Sequence, residues 1–261
     1  VEPVALAEAR PKLAKMVADY HHIPRVVSSH QDLANMGDVD AVVVIMSEAL
    51  HPPVVLDLLE AGKHVFIEKP LAPSAAMGQQ MAEVSERAGK LLMVGYMKRY
   101  DEGVQRAQNL IEQYMESGEL GELSMVRIHC FGGEWTAGLG PRFTTDEAPP
   151  VAERVLGPDF LPEEWQGPFA VFVNVYCHNI NLLRFLAQAE PQVLSAHRLG
   201  PSWLVAMTLR QGLVSLETGQ LSSRSWDEHI SFYFRDGWVD VLTPPPLLRN
   251  VETYRLGDDD V

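Results

Sequence analysis

Two textures of polarity divide the chain. Through the first hundred residues, short apolar runs alternate with longer stretches whose apolar positions recur at helical spacing. The clearest run is residues 40–46, DAVVVIM, near-continuous and β-branched, which predicts a strand buried on both faces. Residues 1–7, 25–27, 65–67 and 91–94 predict further strands. Between them, residues 11–20 place Leu13, Met16 and Val17 on one helical face. His51-Pro52-Pro53 opens another helix with proline in its tolerant first turn, and Gly62 closes it. A helix over residues 74–88 stops at Gly89. Strands alternating with helices predict a parallel, doubly wound sheet.

After Gly95 the pattern changes. A helix is expected over residues 101–116 and a strand over 124–130. Residues 132–166 form a long irregular stretch, and loops of that length are often binding loops or lids. A helix over 169–187 follows, and from residue 192 short alternating runs with turns at Gln211-Gly212 and Asp236-Gly237 predict antiparallel sheet. The expected fold class is therefore α/β in two domains, residues 1–97 with the parallel sheet and 98–261 with a mostly antiparallel one.

Composition narrows the function classes. An apolar content of 46% over 261 residues suffices for a real core. A net charge of −14 argues against nucleic acid or an anionic membrane as partner. Cys130 and Cys177 are too few for a disulfide framework and are expected as reduced thiols in a cytoplasmic protein. No run of 18 uninterrupted apolar residues predicts a membrane span, and the first residues lack the basic-then-apolar order of a signal peptide.

The candidate chemistry centres on residues 62–70, GKHVFIEKP. Pro70 cannot donate to a ladder, so the strand ends there and Lys69 stands at its carboxyl end, where open α/β sheets bind ligands. A plain surface lysine is the other reading. Asn174, His178 and Asn181 fall at i, i+4 and i+7, a polar stripe on an otherwise apolar helix. Spacing alone fits a core hydrogen-bond cluster or a solvent-facing stripe as well as a site. The pairs His129-Cys130 and Cys177-His178 do not predict a metal, because adjacent side chains point in different directions.

Taken in order, DAVVVIM with His51 five residues beyond it, HVFIEKP, GYMKRYD at residues 95–101 and the helix carrying His178 resemble the Gfo/Idh/MocA oxidoreductase family over nearly the whole chain. The resemblance implies a Rossmann domain, a second α/β domain with a large, mostly antiparallel sheet, NAD or NADP, and a sugar, polyol or cyclitol substrate. It implies a catalytic or substrate-positioning role for Lys69. Hydride transfer from a secondary alcohol needs a cation to steady the alkoxide and a base to take its proton. Lys69 supplies the first, and His178, with an unperturbed pKa of about 6.5, the second. Asn174 stands where the family often has aspartate; it can orient the ring but adds no charge.

Lys98 and Arg99 are expected to face the substrate or to form surface ion pairs. Asn181 is expected at the substrate, as is Arg142, which lies with Trp135 and Trp165 in the long irregular stretch; the tryptophans have packing as their other reading. For the cofactor, the family's Gly-rich loop is absent. Glu8 ends the VALAE run where the ribose-binding acid belongs, about 20 residues beyond such glycines, so the glycines would fall before Val1. Gly138-Leu139-Gly140 is only a decoy. The Rossmann sheet is thus expected to be incomplete, lacking the strand that is central in the order 3-2-1-4-5-6. Glu8 favours NAD by repelling a 2′-phosphate, while Arg10 either accepts that phosphate or is a solvated helix-start charge. Met46, Ser47, His51, Glu68, Lys69 and Met97 complete the expected cofactor contacts. Ser47 and Glu48 replace the Pro and Asn of the family's usual T-P-N-x-x-H, and His51 has a capping or surface role as its alternative. The expected activity is an NAD(P)-dependent dehydrogenase, with an NAD-using glycoside hydrolase or a dinucleotide-sensing regulator as alternatives. A homo-oligomer is expected through the C-terminal sheet, with His229, Phe232, Phe234 and Trp238 as contacts or as residues facing the sheet's own helices.

Overall fold

The computed structural model describes residues 2–133, 143–148, 158, 160–222, 226–243 and the backbone of 254–257. It forms two compact units, Val1–Gly95 with Pro141–Val175, and Tyr96–Gly140 with Tyr176–Val261.

The first unit runs β1 (Leu6–Ala7), α1 (Pro11–His21), β2 (Val26–Val27), α2 (His30–Ala34), β3 (Ala41–Val44), α3 (His51–Glu60), β4 (His64–Ile67), α4 (Ala75–Ala88) and β5 (Leu92–Val94). Local signals set the helix ends. Ser29 and Asp32 form a reciprocal capping box at α2, and Ser74 accepts from the Met77 N–H at α4. Gly89 ends α4 with φ 62°, a left-handed conformation that suits glycine. Arg10 gives α1 no side-chain cap, and a distant residue does so instead. The Glu147 carboxylate accepts from the Lys12 and Leu13 N–H groups at 2.9 and 3.0 Å. Those two donated bonds hold its carboxyl below the usual range despite the opposing effect of desolvation. The described part of the long irregular stretch thus caps a helix.

All ladders in this unit are parallel, but they form two sheets, β1-β2 and β3-β4-β5. No ladder joins β1 to β3 among the described residues, and the break falls where the order 3-2-1-4-5-6 places its first strand. Among the described residues 2–7, pairing is confined to Leu6 and Ala7. On one face of the three-stranded sheet, Val42, Val44, Val65 and Ile67 are buried with Val54, Val55, Leu58 and Leu59 of α3 and Met81 and Val84 of α4. On the other, Val43, Phe66 and Met93 stand in register and are 59%, 38% and 41% exposed. DAVVVIM is therefore covered on one face, not two.

The second unit holds α5 (Glu102–Ser117), β6 (Leu123–Gly132), β7 (Gln192–Leu199), β8 (Ser202–Leu209), β9 (Gly212–Gln220), β10 (Asp227–Phe234), β11 (Trp238–Leu242) and β12 (Tyr254–Gly257). The seven strands form one sheet, ordered β12-β11-β10-β6-β9-β8-β7, antiparallel except where β6 meets β9. Phe232 and Phe234 lie on its buried face, at 0% and 5% exposure, and so cannot meet a second copy. His229 and Trp238 occupy the opposite face, as strand alternation requires.

One helix, α6 (Glu163–Ala187), belongs to both units and starts six residues earlier than the pattern predicts, with Pro168 inside it. It is long and apolar enough to cross a bilayer by length and composition, yet Tyr176, Leu182, Leu183 and Leu186 are buried core of the second unit.

Candidate active site

In the first unit, three elements bring polar groups together. After β3 the chain turns through Glu48–Leu50 into α3, and after β4 it reaches Glu68 and Lys69 before a cis peptide to Pro70. The N-terminal half of α6 contributes Asn174. The Lys69 ammonium donates to the Asn174 backbone oxygen at 2.7 Å and, more weakly, to its Oδ1 at 3.4 Å. Asn174 Nδ2 in turn donates to Glu48 Oε2 at 3.1 Å, an oxygen that Ser47 Oγ reaches at 3.4 Å. Glu68 turns back on its own strand, accepting from the Lys69 backbone N–H at 3.1 Å.

His51 braces this arrangement. It is 0% exposed, with Nδ1 2.9 Å from the Pro70 carbonyl and Nε2 3.2 Å from the Met46 carbonyl. Both ring nitrogens are engaged by the two loops that carry Glu48 and Lys69. The residue is neither a surface histidine nor one that presents a ring nitrogen outward. Met46 is 39% exposed, two residues beyond β3. At the carboxyl end of β1, Arg10 clasps Glu8 with Nε to Oε1 at 2.8 Å and Nη2 to Oε2 at 3.0 Å. This bidentate bond holds the Glu8 carboxyl below its ordinary range. Arg10 is thus not simply a solvated charge.

In the second unit, His178 lies on α6 four residues beyond Asn174, one turn along the same helical face. Its ring meets Tyr96 edge-on, centroids 6.1 Å apart. Burial, with Cys177 alongside, pushes the Tyr96 phenol up to about 12. Asn181 accepts from Arg99 Nε at 2.7 Å, and the Arg99 guanidinium sits 5.3 Å from the Phe185 ring centroid. Lys98 pairs with Glu228, which also accepts from Asn179 Nδ2 at 2.7 Å and Trp226 Nε1 at 2.8 Å. Burial would raise the Glu228 carboxyl, but the Lys98 charge and the donated bonds outweigh it and hold the group low.

Among the expected substrate residues, Lys98 and Arg99 are therefore committed inside the fold: Lys98 to a buried ion pair rather than a surface one, Arg99 to Asn181 and Phe185. Met97 is 46% exposed. Arg142, Trp135 and Gly138-Leu139-Gly140 lie outside the described residues. Among the described residues no cluster of three or more metal-ligating side chains occurs. Sequence reasoning noted Glu48 only as a departure from the family's T-P-N-x-x-H and gave it no role, and it passed over Glu228. A signal for Glu48 did exist, since the family pattern has an amide at 48 and a carboxylate at 174, whereas this chain carries the reverse and the structure bonds the two.

Residues 1–96 match the GFO_IDH_MocA family model, described as an oxidoreductase family with an NAD-binding Rossmann fold. This part of the chain is similar to the Gfo/Idh/MocA oxidoreductases. An inositol 2-dehydrogenase from Salmonella paratyphi B is 34% identical over 150 residues, 57% of this chain and 42% of that protein. The match thus spans less than half the length of that curated relative. Two solved structures share the fold of this chain. Scyllo-inositol dehydrogenase from Lactobacillus casei, with bound NAD(H) and scyllo-inositol, has TM-score 0.69 at 16% identity, covering 97% of this chain and 73% of its own. KijD10, a 3-ketoreductase from Actinomadura kijaniata in complex with TDP-benzene and NADP, has TM-score 0.72 at 18% identity, covering 100% and 73%.

Proposed function

We propose that this chain is a member of the Gfo/Idh/MocA family and works as an NAD-dependent dehydrogenase, moving a hydride between a secondary alcohol of a polyol, cyclitol or sugar and nicotinamide. The observation that carries the reading is the bond between Lys69 and Asn174. It ties the lysine at the end of β4 to the helix that bears His178. Residues 1–97 serve the dinucleotide in this reading, and 98–261 serve substrate and self-association through the outer face of the seven-stranded sheet. The relatives named above support the substrate class by their own names.

The fit to a dinucleotide rests on the carboxyl ends of the parallel strands, where ligands of open α/β sheets bind. Glu8 ends β1, Met46 and Ser47 follow β3, and Glu68 and Lys69 follow β4. Glu8 would hold the adenosine ribose, and Met46 and Ser47 the region toward the nicotinamide, which when bound supplies the hydride acceptor. The protein's part is proton and charge control. Lys69 steadies negative charge on the substrate oxygen, Asn174 holds the ammonium, and His178 takes the hydroxyl proton. A reduced, cytoplasmic setting suits two cysteines that form no disulfide.

The test is NADH production by the protein with a polyol panel including inositols. Turnover is expected, with Lys69→Ala and His178→Ala each reducing kcat by about 10²–10⁴-fold. Sugar release without net NADH would replace the reading by glycoside hydrolysis; dinucleotide binding with neither product would leave a sensor.

A further inference from the structure

We infer that Glu48 is a positioning residue for Lys69, acting through the Asn174 amide. The proposal deepens the dehydrogenase reading and rests on it only for its kinetic consequence.

A primary amide presents an oxygen at one end and an NH₂ at the other, and the two exchange with little change in shape. Here each neighbour accepts only one choice. An ammonium only donates, so Lys69 requires the Asn174 oxygen. A carboxylate only accepts, so Glu48 requires the Asn174 nitrogen. Cation, amide and anion are therefore linked in sequence by hydrogen bonds of 3.4 and 3.1 Å, beside the 2.7 Å bond from Lys69 to the Asn174 backbone oxygen. Such chains strengthen each member. The frame is braced as well, because the buried His51 ring packs between the carbonyls of Met46 and Pro70, at 3.2 and 2.9 Å, between the loop before Glu48 and the loop after Lys69. Glu48 thereby supplies across one amide the negative charge that Asn174 itself lacks. Glu68 does not duplicate it, since its bond runs to the Lys69 backbone N–H.

Three proteins decide the matter: wild type, Glu48→Gln, and the exchanged pair Glu48→Gln with Asn174→Asp. The first readout needs no turnover. Lys69 is modified with an amine-reactive reagent at fixed pH, and its rate is followed by peptide mass spectrometry. Glu48→Gln is expected to label Lys69 several-fold faster, because a glutamine accepts either amide orientation, and the ammonium then keeps only the Asn174 backbone oxygen as an assured acceptor and loses the nearby negative charge. The exchanged pair is expected to return to the wild-type rate, because the carboxylate introduced by Asn174→Asp takes the ammonium directly. The second readout is kinetic. Glu48→Gln should lower kcat about 10–100-fold with KM within about threefold, the loss that an ångström-scale misplacement produces, and the exchanged pair should recover most of it. Glu48→Asp, which keeps the charge but shortens its reach, should lie between wild type and Glu48→Gln, and it carries the test if the glutamine variant does not fold. Wild-type labelling in Glu48→Gln, or an exchanged pair that labels no slower than the single variant, overturns the proposal. A wild-type protein that turns over no polyol would sink the dehydrogenase reading while the labelling still decides the role of Glu48.

Discussion

Arg10 shows what a single side chain changes. If Glu8 holds the ribose as proposed, it would alone repel a 2′-phosphate; clasped by Arg10, its charge is largely answered. Removing the guanidinium should restore the repulsion. Arg10→Ala is expected to shift cofactor preference further toward NAD, read as a rise in the KM ratio of NADP to NAD. His51 is a second case. Its ring is sealed between two loops whose carbonyls both face it, and a neutral ring donates to one of them, so His51→Ala removes a hydrogen bond and leaves a cavity. A loss of about 2–4 kcal/mol in urea unfolding is expected, since the buried bond contributes about 1 kcal/mol and the void adds to it. Neither role follows from spacing. The partners of Arg10 and His51 are fixed by how loops meet, and a motif match shows only that a histidine belongs near that turn.

At the scale of elements, β3 and β4 are covered on one face only, which gives a sharp contrast between neighbours in the same strands. Ile67→Ala should cost about 2–5 kcal/mol, as deletion of a fully buried aliphatic group does. Val43→Thr, at 59% exposure in the adjacent strand, should change stability by under about 0.5 kcal/mol. Comparable losses at both sites would mean that both faces of the sheet are covered in solution. The apolar runs were enough to place β3, β4, α3 and α4 within a few residues. They could not show which face is covered, because a continuous run looks alike from both sides. Nor could they show that pairing among the described residues 2–7 is confined to Leu6 and Ala7, since a ladder exists only where a second strand meets it.

For the molecule as a whole, acid stability should track Glu228. Its carboxyl is held below its ordinary value, so it contributes stability above the unfolded-state pKa. That contribution is lost as pH falls through the lower folded-state value. Glu228→Gln should flatten the acid limb of a stability-against-pH curve, measured by thermal melting from neutral pH downward. An acid limb identical to wild type would count against the pair. The residues committed there and in the candidate site come from distant parts of the chain. Glu48 lies 126 residues from Asn174, and Lys98 lies 130 from Glu228.

By itself the sequence determined the order of helices and strands, the switch from parallel to antiparallel sheet after Gly95, and the placing of Lys69 at a strand end, because apolar period, glycine and proline act locally. Tertiary structure alone decided that Lys98 is consumed by Glu228, that His51 braces two loops, and that a glutamate and an asparagine with exchanged chemistries meet beside Lys69. Charge pairs and buried hydrogen bonds depend on which groups fold into the same few ångströms, and local pattern carries no record of that distance.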